Sequence, residues 1–279
     1  MIESVLFDIG ETRFVRTCVS LINRLPCPGS RFPLTVYGHR MFVAKNDRYL
    51  SLWLRKLRLA ETLECRLVAK WCRPGMCVAD IGANAGFYSL LLARCVGATG
   101  HVWAFEPDAV NFAMLQRNVE ANGYSNITMN RKAVGAASGQ DRLYVSDIHT
   151  GDHRTYPSEP REAVPIEVVA LDDYFPAEQR IDLIKMDIQG SEGKALEGMK
   201  RILREQRDLM LLLEFWPLGL RQAGSVPEQV IESLQKLGLT VEVCNERTGA
   251  LQSVEDASRL ANSLVGNQYI NLLVSSAKR

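Results

Sequence analysis

The sequence predicts a doubly wound, Rossmann-like α/β protein: a seven-stranded, mostly parallel sheet with an antiparallel last strand, preceded by an N-terminal cap. Three observations predict it. From Met76 onward, apolar strand-like runs alternate with helical segments, the pattern of a parallel sheet covered on both faces. The first run enters a glycine-rich turn, Asp80-Ile81-Gly82-Ala83-Asn84-Ala85-Gly86, which opens a helix. The last run, 268–275, follows its predecessor without a helix of ordinary length between them, so it is expected to turn back as an antiparallel edge.

Residues 1–75 are read as a cap region and 76–279 as the main domain. The stretch from Leu34 to Val43 alternates like a short hairpin. Over 49–71, Leu59, Leu63, Leu67 and Trp71 share a helical face until Pro74-Gly75 ends the pattern. Arg48, Arg55, Lys56, Arg58 and Arg66 read as the solvated side of that helix. Expected strands are 77–81, 102–106, 126–130, 181–187, 208–214, 239–244 and 268–275. Expected helices are 86–95, 108–122, 191–205 and 226–237. About 50 residues (131–180) interrupt this rhythm. They include strand-like 142–146 and 164–169 and a polar loop, 147–162, of the kind that forms lids or substrate walls.

Composition narrows the function. A net charge of +1 across 279 residues gives no general attraction to nucleic acid or to an anionic membrane. No apolar stretch reaches the roughly 18 residues of a membrane span. Glu3, Asp8, Glu11 and Arg13 break up any signal-peptide layout, so a cytoplasmic protein is expected. Seven scattered cysteines suit free structural thiols better than disulfides or zinc. Val5 to Thr12 resembles a phosphatase nucleophile loop, but Gly10 stands where a second acid is needed.

The chemistry concentrates at the predicted carboxyl ends of the strands. Gly82, Asn84 and Gly86 let backbone approach a ligand. Asp80 would repel a pyrophosphate but attract the cationic, amine-bearing end of S-adenosylmethionine. Glu106 ends the second strand 20 residues after Gly86, where a carboxylate can accept both ribose hydroxyls. That acid serves nicotinamide enzymes equally, so alone it indicates an adenosine-containing ligand. Ala133 and Val134, after the third strand, offer an apolar wall for adenine. Asp187 ends the run Ile181–Met186, with Gly190 allowing a sharp turn and Ser191-Glu192 able to cap the next helix.

The ordered set Asp80–Gly86, Phe105-Glu106-Pro107, Ala133-Val134-Gly135, Leu171-Asp172-Asp173 and Ile184–Glu192 resembles the FkbM-type methyltransferases, within the class I S-adenosylmethionine-dependent enzymes. The resemblance covers about residues 60–215. It implies S-adenosylmethionine as cofactor and methyl transfer, usually to an oxygen of a sugar, lipid or secondary metabolite. The expected partner is therefore a small-molecule or glycan-type hydroxylated substrate, with no nucleic acid and no membrane span. Oligomeric state is left open. The family more often carries Glu where Gln189 stands. Cofactor contacts then fall on Asp80, Gly82, Asn84, Gly86, Glu106, Ala133, Val134 and Asp187. Candidate catalytic residues are Asp187 with His149 and His153, two histidines in the predicted lid whose ordinary pKa suits a general base. A solvated loop would look the same. Asp187 with Glu214 would alternatively supply two ligands of a catechol-type divalent-metal site, though no metal is predicted. A nicotinamide oxidoreductase, a non-catalytic cofactor-binding scaffold and, less favoured by the neutral net charge, methyl transfer to nucleic acid or protein are the remaining alternatives. The cap and the 147–162 loop are expected to form the acceptor pocket together.

Overall fold

The computed structural model describes residues 29–45, 47–57, 63–147, 150–158, 160–245 and 248–276. The segment 5–12, Cys18, Cys27, Arg58, Leu59 and His149 lie outside them. The chain opens with the expected hairpin, β1 (Leu34–Val36) against β2 (His39–Met41). Tyr37 and Gly38 both have positive φ, 49° and 80°, as a two-residue turn matching strand twist requires. Helices α1 (Arg48–Leu57) and α2 (Leu63–Trp71) follow. Leu67 and Trp71 are buried as predicted, and Arg55, Lys56 and Arg66 are exposed.

The main body comprises β3 (Cys77–Ile81), α3 (Phe87–Val96), β4 (His101–Phe105), α4 (Ala109–Asn122) and β5 (Ile127–Asn130). Next come β6 (Ala133–Val134), β7 (Gly139–Val145), β8 (Glu162–Val169), α5 (Leu171–Tyr174) and β9 (Leu183–Met186). Then follow α6 (Glu192–Glu197), α7 (Lys200–Glu205), β10 (Met210–Phe215), α8 (Pro217–Gln222) and α9 (Pro227–Lys236). The remaining elements are β11 (Leu239–Cys244), β12 (Leu251–Ser253), α10 (Ala257–Ser263) and β13 (Ile270–Ser276).

The large sheet has eight strands in the order β12-β11-β13-β10-β9-β3-β4-β5. Seven are those expected, and the fold is the predicted doubly wound α/β class. Its last strand is antiparallel but is not an edge: β13 lies between β10 and β11, antiparallel to both. The edge is β12, a three-residue strand hairpinned onto β11 and too short and polar to announce itself. Side chains alternate between two apolar layers. Val78, Val102 and Leu183 face α3, α4 and the 34–72 segment. Ala79, Ile81, Ile184 and Met186 face the layer containing α6, α7 and α9.

The 131–180 interruption folds as its own three-stranded sheet, β6-β8-β7. The expected helix 191–205 is two helices, because Gly198 approaches the Gly135 carbonyl so closely that an added Cβ would sit 2.0 Å from its oxygen. The helix restarts under a tertiary cap: the Asp172 carboxylate accepts from the backbone N–H groups of Arg201 and Ile202, at 2.7 and 3.1 Å. Among the described residues, no helix is long and apolar enough to cross a membrane. The described cysteines, Cys65, Cys72, Cys77, Cys95 and Cys244, are free thiols.

Candidate functional site

Strand register builds the site. Ile81 is level with Phe105 on β4 and with Met186 on β9. Gly82, Glu106 and Asp187 therefore leave three adjacent strands at one height, along the carboxyl edge where open α/β sheets take ligands. Gly82 has φ +81°, and a Cβ there would meet the Asp187 carbonyl oxygen at 2.0 Å. Only glycine lets β3 and β9 converge in this way. Gly86, at φ +89°, ends the turn and starts α3, pressed against Leu115. A cleft of about 100 Å³, partly open to solvent, runs along this edge. Gly82, Asn84, Glu106, Ala133, Val134 and Asp187 line it, with His153 above.

Glu106 is held by its neighbours. Its Oε2 accepts from the Asn84 N–H at 2.8 Å and its Oε1 from the Asp108 N–H at 2.9 Å. The Asn111 side chain also hydrogen-bonds this carboxylate. Burial raises the Glu106 pKa to about 7. Asp108 in turn caps α4, accepting from Val110 and Asn111.

Asp80 and Asn84 also make contacts within the protein. Asp80 is fully buried beneath the glycine turn on the α3 side, where Ser89 Oγ donates to its Oδ2 at 2.6 Å. Lys185, level with Asp80 in the sheet, brings Nζ to 3.8 Å from both Asp80 and Asp187 and lies over the Tyr88 ring. Burial, the largest influence, pushes the Asp80 carboxyl up, while Lys185 and Ser89 pull it down. Asp80 thus braces the turn from below. Asn84, with φ 49°, donates its side-chain amide to the Thr150 carbonyl at 3.2 Å. It serves the lid, while its backbone serves Glu106.

The 150–158 segment is a strap across the cleft. Gly151, His153 and Thr155 line the cleft, and the intervening Asp152, Arg154 and Tyr156 are buried. Arg154 Nε donates to Asp152 at 2.9 Å, while Arg161 also pairs with Asp152. The Arg154 guanidinium lies 5.1 Å from the Trp216 ring centroid. Thr155 and Ser191 hydroxyls meet at 2.5 Å, and Tyr156 donates to the Gln189 carbonyl at 3.0 Å. His153 Nδ1 accepts from the Ser146 N–H at 3.0 Å, so its other nitrogen carries the proton, 3.9 Å from Asp108 Oδ1. That arrangement orients the strap, with His153 in the cleft lining. None of the described cap residues lines the cleft. The cap reaches the strap through Asp47, which accepts from the Thr150 hydroxyl. Among the described residues, the strap contributes Thr150, Gly151, His153 and Thr155 to the cleft lining, while the described part of the cap packs into the core behind α3.

At the far end, Met186 pairs with Leu213, so Asp187, just past β9, lies beside Glu214, which is still within β10. Gln189 Nε2 donates to both, at 2.8 Å to Asp187 Oδ1 and 3.1 Å to Glu214 Oε1. The carboxylates foreseen as a metal pair are bridged by an amide.

A methyltransferase FkbM domain model matches residues 80–239, from the end of β3 to the start of β11. The chain belongs to the FkbM methyltransferase domain family. "Methyltransferase 1" of Beauveria bassiana (strain ARSEF 2860) is 24% identical over 144 residues, 44% of this chain, and the chain spans only 57% of its length. "Methyltransferase sdnD" of Sordaria araneosa is 26% identical over 180 residues, covering 52% of this chain and 68% of that protein. The crystal structure of precorrin-6y C5,15-methyltransferase from Geobacter metallireducens GS-15 matches with TM-score 0.43 and 15% identity, over 76% of this chain and 87% of that one.

Within this FkbM domain, sequence reading missed residues that act through the chain's own polar groups. Asn118 is fully buried and ties three segments: it accepts from the Phe42 N–H at 2.6 Å and donates to the Phe42 and Ala85 carbonyls at 2.9 and 2.8 Å. Asn111 donates to the Thr150 carbonyl at 3.0 Å. The available signal was asparagine at 111, 118 and 122 along one helix, a weak helix former whose repeated use needs a tertiary reason. Lys185 was visible as the one basic residue inside the expected strand 181–187.

Proposed function

We propose that the cleft binds S-adenosylmethionine and that the protein methylates an acceptor hydroxyl. The observation that carries this is the common height of Gly82, Glu106 and Asp187 at the carboxyl edge, inside the FkbM-matched segment. The residues present fit the cofactor. Glu106 offers a preoriented carboxylate to ribose hydroxyls, Ala133 and Val134 an apolar wall to adenine, and Gly82 bare backbone to the methionine arm.

S-adenosylmethionine supplies an electrophilic methyl carried on a sulfonium. The protein's work is positional: the strap and the 187–191 turn hold an acceptor oxygen in line and exclude water. Asp187 takes the acceptor's proton where one must be removed. It is the cleft-lining carboxylate on that side, and Gln189 and Lys185 fix its two oxygens. His149 stays a candidate from sequence, and His153 orients the strap. A sugar, lipid or secondary-metabolite hydroxyl is the acceptor class that this reading favours. A catechol-type metal route is less favoured, because the Gln189 amide lies between Asp187 and Glu214. We further assign the described part of 1–75 as a buttress behind the site and 76–279 as the catalytic domain.

Calorimetric titration with S-adenosylmethionine and S-adenosylhomocysteine tests the cofactor. Glu106→Gln keeps an acceptor oxygen but loses the charge, and should weaken both ligands by at least about tenfold. Transfer of labelled methyl to a panel of hydroxylated acceptors, with and without magnesium, then tests the reaction. Folded wild-type protein that binds neither ligand would sink the reading.

A further inference from the structure

Two cysteines 23 residues apart in the chain meet in the fold. Cys72 directly follows α2, and its N–H donates to the Val68 carbonyl at 2.8 Å, completing the last turn. Its Sγ lies 4.0 Å from the Leu92 carbonyl oxygen of α3. Cys95 stands three residues further along the same helix. Helical side chains tilt toward the N-terminus, so Cys95 leans back over the Leu92 turn and onto the Cys72 sulfur. The Cys72 thiol donates a hydrogen bond to it. The two differ in access: Cys72 is 4% exposed, whereas Cys95 is half-buried beside the exposed Arg94. The Cys72 hydrogen bond, with the charges of Arg94 and Arg73, favours a thiolate at Cys95 and brings its pKa down to about 7 against the effect of burial. The other described cysteines lack this setting. Cys65 and Cys244 are buried, and burial raises the Cys77 thiol.

We propose that Cys95 and Cys72 form an attacking and resolving thiol pair, which a small disulfide such as glutathione disulfide oxidises to a Cys72–Cys95 bridge. The Cys95 thiolate attacks one sulfur of the reagent, whose S–S bond breaks. A mixed disulfide forms on Cys95, and the glutathione thiolate that leaves takes up the Cys72 proton. Cys72 Sγ, already in contact, then attacks Cys95 Sγ. The mixed disulfide breaks, and the second glutathione leaves as a thiolate that takes the proton Cys95 had earlier given to water. Two protein thiols are oxidised, and one disulfide is reduced to two thiols. The inference does not depend on the cofactor reading, yet it bears on that site. The bridge closes a ring over residues 72–95, which holds β3, the Asp80–Gly86 turn and α3. It ties the described cap to the helix that the glycine turn starts, and it restricts this stretch in the unfolded chain.

The test treats the folded full-length chain with glutathione disulfide at about pH 7.5, quenches in acid, caps remaining thiols with N-ethylmaleimide and maps the peptides by mass. In wild type, Cys72 and Cys95 should both be lost from the capped set and recovered as one linked peptide pair, while Cys65, Cys77 and Cys244 are capped. Cys72→Ser should stop at a glutathione adduct on Cys95, because the resolving thiol is gone. Cys95→Ser should leave Cys72 as a capped thiol, because burial denies it the reagent. Wild type that keeps both thiols, holds a lasting adduct on Cys95 or links Cys72 to another cysteine overturns the inference. Thermal melts identify a variant that has not folded, and the wild-type map then decides alone.

Discussion

Glu106 and Glu192 show how single side chains set the behaviour of the site. Both are buried, and burial raises each carboxyl from 4.5 to about 7. Glu192 Oε1 accepts from the Ile188 and Gly190 N–H groups, fixing the turn that carries Gln189, while its Oε2 has no hydrogen-bond partner. Between about pH 4.5 and 7 the folded protein holds protons that the unfolded chain has released. The contribution to stability is complete below 4.5 and is lost as pH rises through 7. His39, lowered to about 4 chiefly by burial, His101, also lowered by burial, and the Cys95 thiol, lowered by its contact with Cys72, act in the opposite sense. The two carboxyls should still make the ligand-free protein melt a few degrees higher at pH 6 than at pH 8. Glu192→Gln should narrow that gap, and a flat profile in wild type would refute the account. Glu106 was legible because a carboxylate at a strand end after a glycine turn has few other uses. The tautomer of His153 was not, since it depends on the Ser146 amide, a neighbour that only folding supplies.

Elements were legible wherever apolar periodicity set them. β3, β11 and the first hairpin fall at the expected positions because each alternates or runs apolar between clear turn residues. The exceptions have local physical causes. The break between α6 and α7 comes from backbone contact at Gly198, and a glycine in a helical pattern does not reveal what it touches. The placement of β13 depends on which strands accept it, and periodicity carries no partner information. Asn118 belongs to this scale because it joins β2's exit, α4 and the glycine turn. Asn118→Ala leaves the Phe42 N–H and two carbonyls without their partners inside the core. Loss of about 3 kcal/mol is expected in denaturant unfolding, with weaker cofactor binding because Ala85 belongs to the turn. Loss under about 1 kcal/mol would show that water or backbone shifts replace these bonds.

For the whole molecule, the described cap is part of one core and not a detachable lid. Leu34, Val36, Met41, Leu54, Leu67 and Trp71 share an apolar layer with Phe87, Leu91 and Val96 of α3. Removing residues 1–75 should therefore abolish cooperative folding rather than merely open the cleft; a sharp thermal transition in the truncated protein would contradict this. The position of β13 bears on how the protein is made. The parallel strands β3, β4, β5, β9 and β10 are complete once residue 215 has been synthesised, but β11 and β12 pair with the sheet only through β13. Until residues 270–276 leave the ribosome, the nascent chain carries an open β10 edge and a waiting β11–β12 hairpin. Each is a template for pairing with another chain. Synthesis stalled in that interval exposes the protein to misassembly, and the arrival of a single strand closes both edges at once.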